Sequence, residues 1–137
     1  MSGVLLDSSV LLDVLLDDPV WGAWSSAALQ AAADRAECYV NVVVYSEVSV
    51  GFERFEDLDA LLEQAGIRRA AIPYEAGFLA GKAFVAYRRR GGTRTAPLPD
   101  FLIGAHAAVA GMTLLTRDPT RVRAAFPGLA IRCPSGT

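Results

Sequence analysis

Short apolar runs alternate along this chain with longer segments of helical period, and polar residues mark most of the changeovers. The first run, Gly3-Val4-Leu5-Leu6, stops at Asp7-Ser8-Ser9 and resumes as Val10-Leu11-Leu12. This predicts a buried strand that finishes at Asp7 and hands over to a helix capped by Ser8 or Ser9. That helix runs to about Leu16, where Asp17-Asp18-Pro19 breaks it. Residues 21–35 are alanine-rich without an internal break and predict a second helix. Residues 38–41 form a short strand candidate whose last residue, Asn41, is able to cap a helix after it. The next stretch is β-branched and favours strand by propensity. Tyr45-Ser46-Glu47 leading into a Gly51 stop nevertheless predicts a helix from Val42 or Val43.

Residues 55–64 are amphipathic, with Phe55, Leu58, Leu61 and Leu62 at helical spacing and Gly66 as terminator. A strand is predicted over 67–72, and Pro73 opens the longest helix, which reaches Arg90. Residues 88–97 read as a flexible basic loop, and Pro99 begins a helix that is apolar from Phe101 to Ala110 except for His106. Such a helix is buried. A strand over 112–116, a short helix over 119–125 and a last strand over 129–132 complete the chain. Strands alternating with helices, without repeat or linker, predict a parallel sheet of about five strands covered on both faces. The expected fold is a three-layer α/β/α sandwich, with residues 1–137 as a single domain.

Composition narrows the chemistry. Apolar residues make up 53% and charged residues 20%, which excludes a disordered chain. No apolar run reaches the ~18 residues of a membrane span, and no basic segment precedes the first strand, so the expected location is the cytoplasm. Cys38 and Cys133 have neither CxxC nor histidine spacing and read as reduced thiols. With His106 as the only histidine, a zinc site of His/Cys type is nearly excluded. A net charge of -2 argues against coating nucleic acid through overall charge, while leaving room for local basic patches.

Four carboxylates stand out by position. Asp7 ends the first strand, and Glu47 lies about one turn into the helix after the second, in apolar company. Asp100 starts the buried helix, and Asp118 follows the fourth strand. In a parallel sheet these positions share one rim, where open α/β sheets place their sites. Glu53, Glu56, Asp57, Asp59 and Glu63 read as a solvated helix face, and Asp13, Asp17 and Asp18 as the exposed end of the first helix. The plainer account of the four is independent helix caps, which suits Asp7, Asp100 and Asp118. It does not suit Glu47. Four carboxylates in one cleft repel one another, and the natural remedy is a hard divalent cation with oxygen ligands, Mg²⁺ or Mn²⁺. Such an ion activates water and neutralises charge on a phosphodiester without needing histidine.

The stretches Leu5-Leu6-Asp7-Ser8-Ser9-Val10-Leu11-Leu12, Ser46-Glu47, Pro99-Asp100-Phe101-Leu102-Ile103-Gly104-Ala105-His106-Ala107 and Leu115-Thr116-Arg117-Asp118, with Phe126-Pro127-Gly128-Leu129 after them, resemble the PIN domain. More narrowly they resemble VapC-type toxins of bacterial toxin–antitoxin pairs. The resemblance covers essentially the whole chain. It implies a Mg²⁺- or Mn²⁺-dependent endoribonuclease that is held inactive by a cognate antitoxin protein and is often a homodimer. The matching acids are Asp7, Glu47, Asp100 and Asp118, with Thr116 as a hydroxyl beside the site. One departure is Ser9, where the family often has asparagine; its hydroxyl is expected to tune the site.

Several cations are candidate RNA contacts. Arg88, Arg89, Arg90 and Arg94 surround Gly91-Gly92, either as a clamp for RNA phosphates or as a solvated helix end. Arg117 and Arg121 flank Asp118, to contact substrate or to neutralise the site without metal. His106 reads as a core or interface histidine. Trp21 and Trp24 read as core, dimer or antitoxin contacts before base stackers. Two rival functions stand beside the ribonuclease. A phosphoaspartate enzyme using Asp7 lacks a well-placed lysine, since Lys82 is the only one. A catalytically inert PIN-fold module that binds RNA or protein has no evident reason to keep all four acids.

Overall fold

The computed structural model describes residues 3–93 and 98–134. Its elements are β1 (Val4–Leu6), α1 (Ser8–Leu15), α2 (Gly22–Arg35), β2 (Cys38–Val40), α3 (Val42–Ser49), α4 (Phe55–Gln64), β3 (Ile67–Arg69), α5 (Tyr74–Arg89), α6 (Leu98–Ala110), β4 (Thr113–Leu115), α7 (Thr120–Ala125) and β5 (Ile131–Arg132). The five strands form one parallel sheet in the order β3-β2-β1-β4-β5. From β1 the chain winds outward to β2 and β3, then crosses back to β4 and β5. Right-handed crossovers therefore put α1 to α4 on one face and α5 to α7 on the other. The packing agrees, with α1 against α2 and α3, and α6 against α5 and α7. The predicted three-layer sandwich is the observed architecture. The order reverses between β1 and β4, and that switch point is where open α/β sheets form a crevice.

Register and burial follow from the apolar strand residues. Leu5 pairs with Tyr39 on one side and Leu114 on the other, and Leu6 pairs with Leu115. Leu5, Leu6, Val40, Leu114 and Leu115 are buried, as expected for central strands covered on both faces. Val10, Val44 and Val48 fill one layer, while Phe101, Ile103 and Val122 fill the other. Gly104 allows α6 to lie close to α7, since a Cβ there would come within 2.8 Å of the Phe126 ring and 2.9 Å of Val122.

Several boundaries differ from the sequence reading. The backbone of Asp7, and not that of Ser8 or Ser9, occupies the cap position of α1, and its side chain makes no capping hydrogen bond. β3 ends at Arg69 and does not continue to Ile72. As an edge strand it has one neighbour, and it leaves the sheet on the approach to Pro73. The basic loop begins later than predicted, because α5 continues through Arg88 and Arg89.

The β-branched stretch is indeed a helix, and Asn41 explains why. Its Oδ1 accepts from the Val44 N–H at 3.0 Å, satisfying a free donor of the first turn of α3. The Asn41 amide nitrogen therefore faces His106 Nδ1, at 3.1 Å. Nδ1 must accept, so the proton of the neutral ring sits on Nε2. This buried bond ties the start of α3 to the middle of α6, and burial holds His106 below the ordinary histidine pKa. The unfolded chain then binds a proton that the folded chain refuses. Stability is fully present above about pH 6.5 and is lost as pH falls from there through the lower folded-state value. Urea unfolding at about pH 7.5 and about pH 5.5 should show the wild type losing stability relative to His106→Gln, with a ceiling of ~1.4 kcal/mol per pH unit. An equal change in the two proteins would remove His106 as the source of the loss.

Candidate active site

At the switch point, three segments meet beyond the carboxyl ends of β1 and β4. Asp7 continues the pairing of β1, its N–H donating to the Leu115 carbonyl at 2.9 Å. The Asp7 carboxylate turns away from its own helix. Its Oδ2 accepts from the Ser9 hydroxyl at 2.6 Å and the Thr116 hydroxyl at 2.8 Å. Thr116 Oγ1 in turn accepts from the Asp118 N–H at 3.0 Å, and Ser9 Oγ accepts from the Arg117 N–H at 3.2 Å. Two hydroxyls thus lash the β1 and β4 ends together around one carboxylate oxygen. Oδ1 of Asp7 has no hydrogen-bond partner among the described residues. The Ser9 hydroxyl thus joins the Asp7 carboxylate to the backbone of Arg117.

Glu47 comes from α3 and meets α1, where the Ser8 hydroxyl donates to its Oε1 at 2.8 Å. Burial first, then the charges of Asp7 and Asp100, hold Glu47 above the ordinary glutamate range against that hydrogen bond. Asp100 lies in the first turn of α6, and its Oδ2 accepts from the Arg121 guanidinium. Burial is the main reason its pKa is raised, with Asp7 and Asp118 adding to it and Arg121 opposing. Asp7 acts on both raised carboxylates and Asp118 on Asp100, so the four sequence-selected acids stand within electrostatic reach of one another at this end of the sheet. Asp118 is the most exposed of the four, at 79% of its side chain.

These residues border a cleft of about 430 Å³ lined by Asp7, Ser8, Ser9, Asp100, Arg117 and Asp118, with Arg121 and apolar neighbours closing it. Glu47 reaches the cluster from beside the cleft, through Ser8. Arg88, Arg89 and Arg90 are exposed at the end of α5 and do not line the cleft. Arg94 lies outside the described residues.

The donor set fits a hard divalent cation, because it is all oxygen and carries four negative groups. Among the described residues, however, no three acidic, cysteine or histidine side chains are grouped as they would be around one ion. Asp100 is directed onto Arg121, Glu47 onto Ser8, and one oxygen of Asp7 onto Ser9 and Thr116. Arg121 supplies the positive charge that Asp100 otherwise lacks.

Two features escape the sequence reading. Ser8 proves to be the anchor of Glu47. Asp13 is not at an exposed helix end; it is 3% exposed. Its Oδ2 accepts from the Ser25 hydroxyl at 2.7 Å, and its two oxygens accept from Arg117 Nε and Nη2, each at 3.0 Å. Burial alone would raise the Asp13 pKa, but the hydrogen bonds from Arg117 and Ser25 and the Arg117 charge together hold it below the ordinary range. A signal was present, since Leu12-Asp13-Val14 sets this acid in an apolar run as surely as Val48 and Val44 frame Glu47.

Comparison with known proteins comes down to the fold and one family. No curated protein matches the chain. Similar solved structures include VapBC2 from Rickettsia felis bound to a DNA fragment from its promoter, at 18% identity and TM-score 0.71, covering 95% of this chain and 97% of that one. DNA-bound VapBC from Salmonella typhimurium aligns at 19% identity and TM-score 0.69, over 97% and 98% of the two chains. VapBC-1 from nontypeable Haemophilus influenzae aligns at 14% identity and TM-score 0.72, over 95% and 96%. At such identities the likeness is one of fold. The family model described as PIN domain matches residues 4–127, nearly the whole length, and the chain belongs to the PIN domain family.

Proposed function

We propose that this chain is a divalent-metal-dependent endoribonuclease, a hydrolase acting as the toxin of a toxin–antitoxin pair, with residues 1–137 as one nuclease domain. The observation that carries this reading is the convergence of Asp7, Glu47, Asp100 and Asp118 at the switch point, with Asp7 freed from capping by Ser9 and Thr116. These four would hold Mg²⁺ or Mn²⁺, which supplies water activation and neutralises charge on the phosphate. Asp7 presents Oδ1 to the cleft because its other oxygen is engaged. Ser8 aims Glu47, and Thr116 fixes the backbone of Asp118 so that its exposed carboxylate orients the attacking water. Water oxygen adds to phosphorus, a P–O bond of the RNA breaks, and the leaving oxygen takes a proton. Arg117 and Arg121 line the cleft and suit the phosphate; Arg88, Arg89, Arg90 and Arg94 would extend contact to RNA beyond it.

The likeness to chains from VapBC complexes supports a cognate antitoxin protein as partner. The proposed setting is the cytoplasm. Cys38 and Cys133 are not joined in a disulfide, and no helix among the described residues is long and apolar enough to cross a membrane. A homodimer is supported by α5, which exposes Tyr74 at 96%, Phe78 at 71% and Val85 at 43% on one face. Phe78→Glu should convert a dimer into a monomer in light scattering without lowering thermal stability. A wild type that is monomeric at all concentrations would remove this part of the proposal.

The function is tested by sequencing RNA ends in cells expressing the wild type or Asp7→Asn. Discrete new ends in the wild type alone are expected. Identical end profiles would favour the inert module.

A further inference from the structure

Arg117 has an unusually complete set of restraints for a residue that borders a cleft. Asp13 takes two of its three guanidinium nitrogens, Nε and Nη2, in a bidentate pair at 3.0 Å each. Trp21 covers the guanidinium, whose carbon lies 5.8 Å from the indole centroid. Its backbone N–H is held by Ser9, which is itself bonded to Asp7. The remaining nitrogen, Nη1, stands 3.7 Å from Asp118 Oδ2, on the side of the cleft. Asp13 is 3% exposed, and its carboxylate accepts two hydrogen bonds from Arg117 and one from the hydroxyl of the fully buried Ser25.

A buried ion pair is a poor way to gain stability, because desolvating both partners cancels much of their attraction. It is a good way to fix a planar fork in one orientation, since the bidentate geometry of arginine loses its rotamer freedom once and in advance. We infer that Asp13 is a positioning residue of the active site, which locks Arg117 so that its Nη1 meets a non-bridging oxygen of the scissile phosphate beside Asp118. This deepens the ribonuclease reading and rests on it. Asp13 touches neither substrate nor metal in this scheme; it acts through Arg117. The lock also explains the division of labour between the two cleft arginines. Arg121 is paired with Asp100, whereas Arg117 is held in a bidentate pair by Asp13, which does not line the cleft, and reaches Asp118 only through Nη1.

The experiment compares wild type, Asp13→Ala, Asp13→Asn, Arg117→Ala and Asp13→Ala with Arg117→Ala. Cleavage kinetics are followed on a mixed-sequence single-stranded RNA oligonucleotide with Mn²⁺. The salt dependence of binding to the same RNA is measured in an Asp7→Asn background. Arg117→Ala and Asp13→Ala should each lower kcat by about 10- to 100-fold, the range for loss of an outer-shell partner. Each should reduce the slope of log affinity against log salt by ~0.7, one phosphate contact on a single strand. Once Arg117 is absent, removing Asp13 should cost no further kcat. Asp13→Asn retains one acceptor for the guanidinium and should recover part of the loss. It is also the variant to use if Asp13→Ala does not fold. Folded Asp13 variants with wild-type kcat and salt slope, whatever their melting temperature, would reduce the pair to a structural strut and overturn the inference. Wild-type protein that binds RNA but does not cleave it overturns the nuclease reading alone, and the salt slopes then decide the positioning role. Wild-type protein that neither cleaves nor binds RNA removes both.

Discussion

Asp7→Asn should abolish RNA cleavage while the protein keeps its fold. The substitution preserves shape and one carbonyl oxygen, and Ser9 and Thr116 are able to keep donating to that oxygen. What disappears is the negative charge at the point where β1 and β4 diverge, together with the second carboxylate oxygen. Loss of an outer-shell partner in a metal site costs about 10- to 100-fold in affinity or activity. A direct ligand should cost more, so the expected loss in kcat/KM exceeds about 100-fold. Relieving repulsion on Glu47 and Asp100 should leave stability unchanged or slightly raised, because Asp7 contributes to the raised pKa of both. The check is cleavage and urea unfolding on the same preparation. Full activity with an unchanged urea midpoint would remove Asp7 from the mechanism.

Phe101→Ala is expected to produce the largest loss of stability. Phe101 is fully buried next to Asp100, and its ring packs edge-on to Tyr87 at 5.8 Å and Phe126 at 6.5 Å. It joins α5, α6 and α7, so truncation opens a cavity where three helices meet and no single side chain is able to fill it. Phe→Ala changes at such sites cost about 3–5 kcal/mol, against total stabilities of about 5–15 kcal/mol for small domains. The urea midpoint should fall steeply with the slope of the transition unchanged. Phe101→Leu, which keeps most of the volume, should recover more than half. Because Asp100 is the preceding residue, the folded fraction of Phe101→Ala should also cleave RNA poorly. A loss below ~1 kcal/mol would mean that α6 is not the keystone of its layer.

The layers and their order were legible because the strands are short apolar runs and the helices carry their own stop signals at Gly51, Gly66 and Gly111. Where propensity and structure disagree, a single residue decides. The β-branched segment that begins at Val42 is helical because Asn41 caps it and is held by His106 from another layer, a contact no local pattern displays. The edge strand β3 is shorter than its sequence suggests, and among the described residues it pairs on one side only, with β2.

The acids divide in the same way. Glu47 was recognisable since a carboxylate among valines has no capping role, and Asp7 since a strand ends there. Asp13 carries the same mark but lies within α1, nearly two turns past Asp7, and its charge partner is Arg117, far along the chain. Pairings across the sheet switch point are set by tertiary geometry, and sequence alone registers only that an unpartnered acid needs one. The direction of Arg121 toward Asp100 was open for the same reason.

The central claim is that four carboxylates at the switch point hold a divalent ion and cut RNA with it. It is tested most directly by incubating the purified protein with a mixed-sequence RNA in the presence of Mg²⁺ or Mn²⁺, then with excess chelator, then after metal is restored. Cleavage that stops on chelation, returns with either ion and is absent from Asp7→Asn throughout is the predicted result. Cleavage that continues in excess chelator, or that Asp7→Asn performs as well as the wild type, would contradict it.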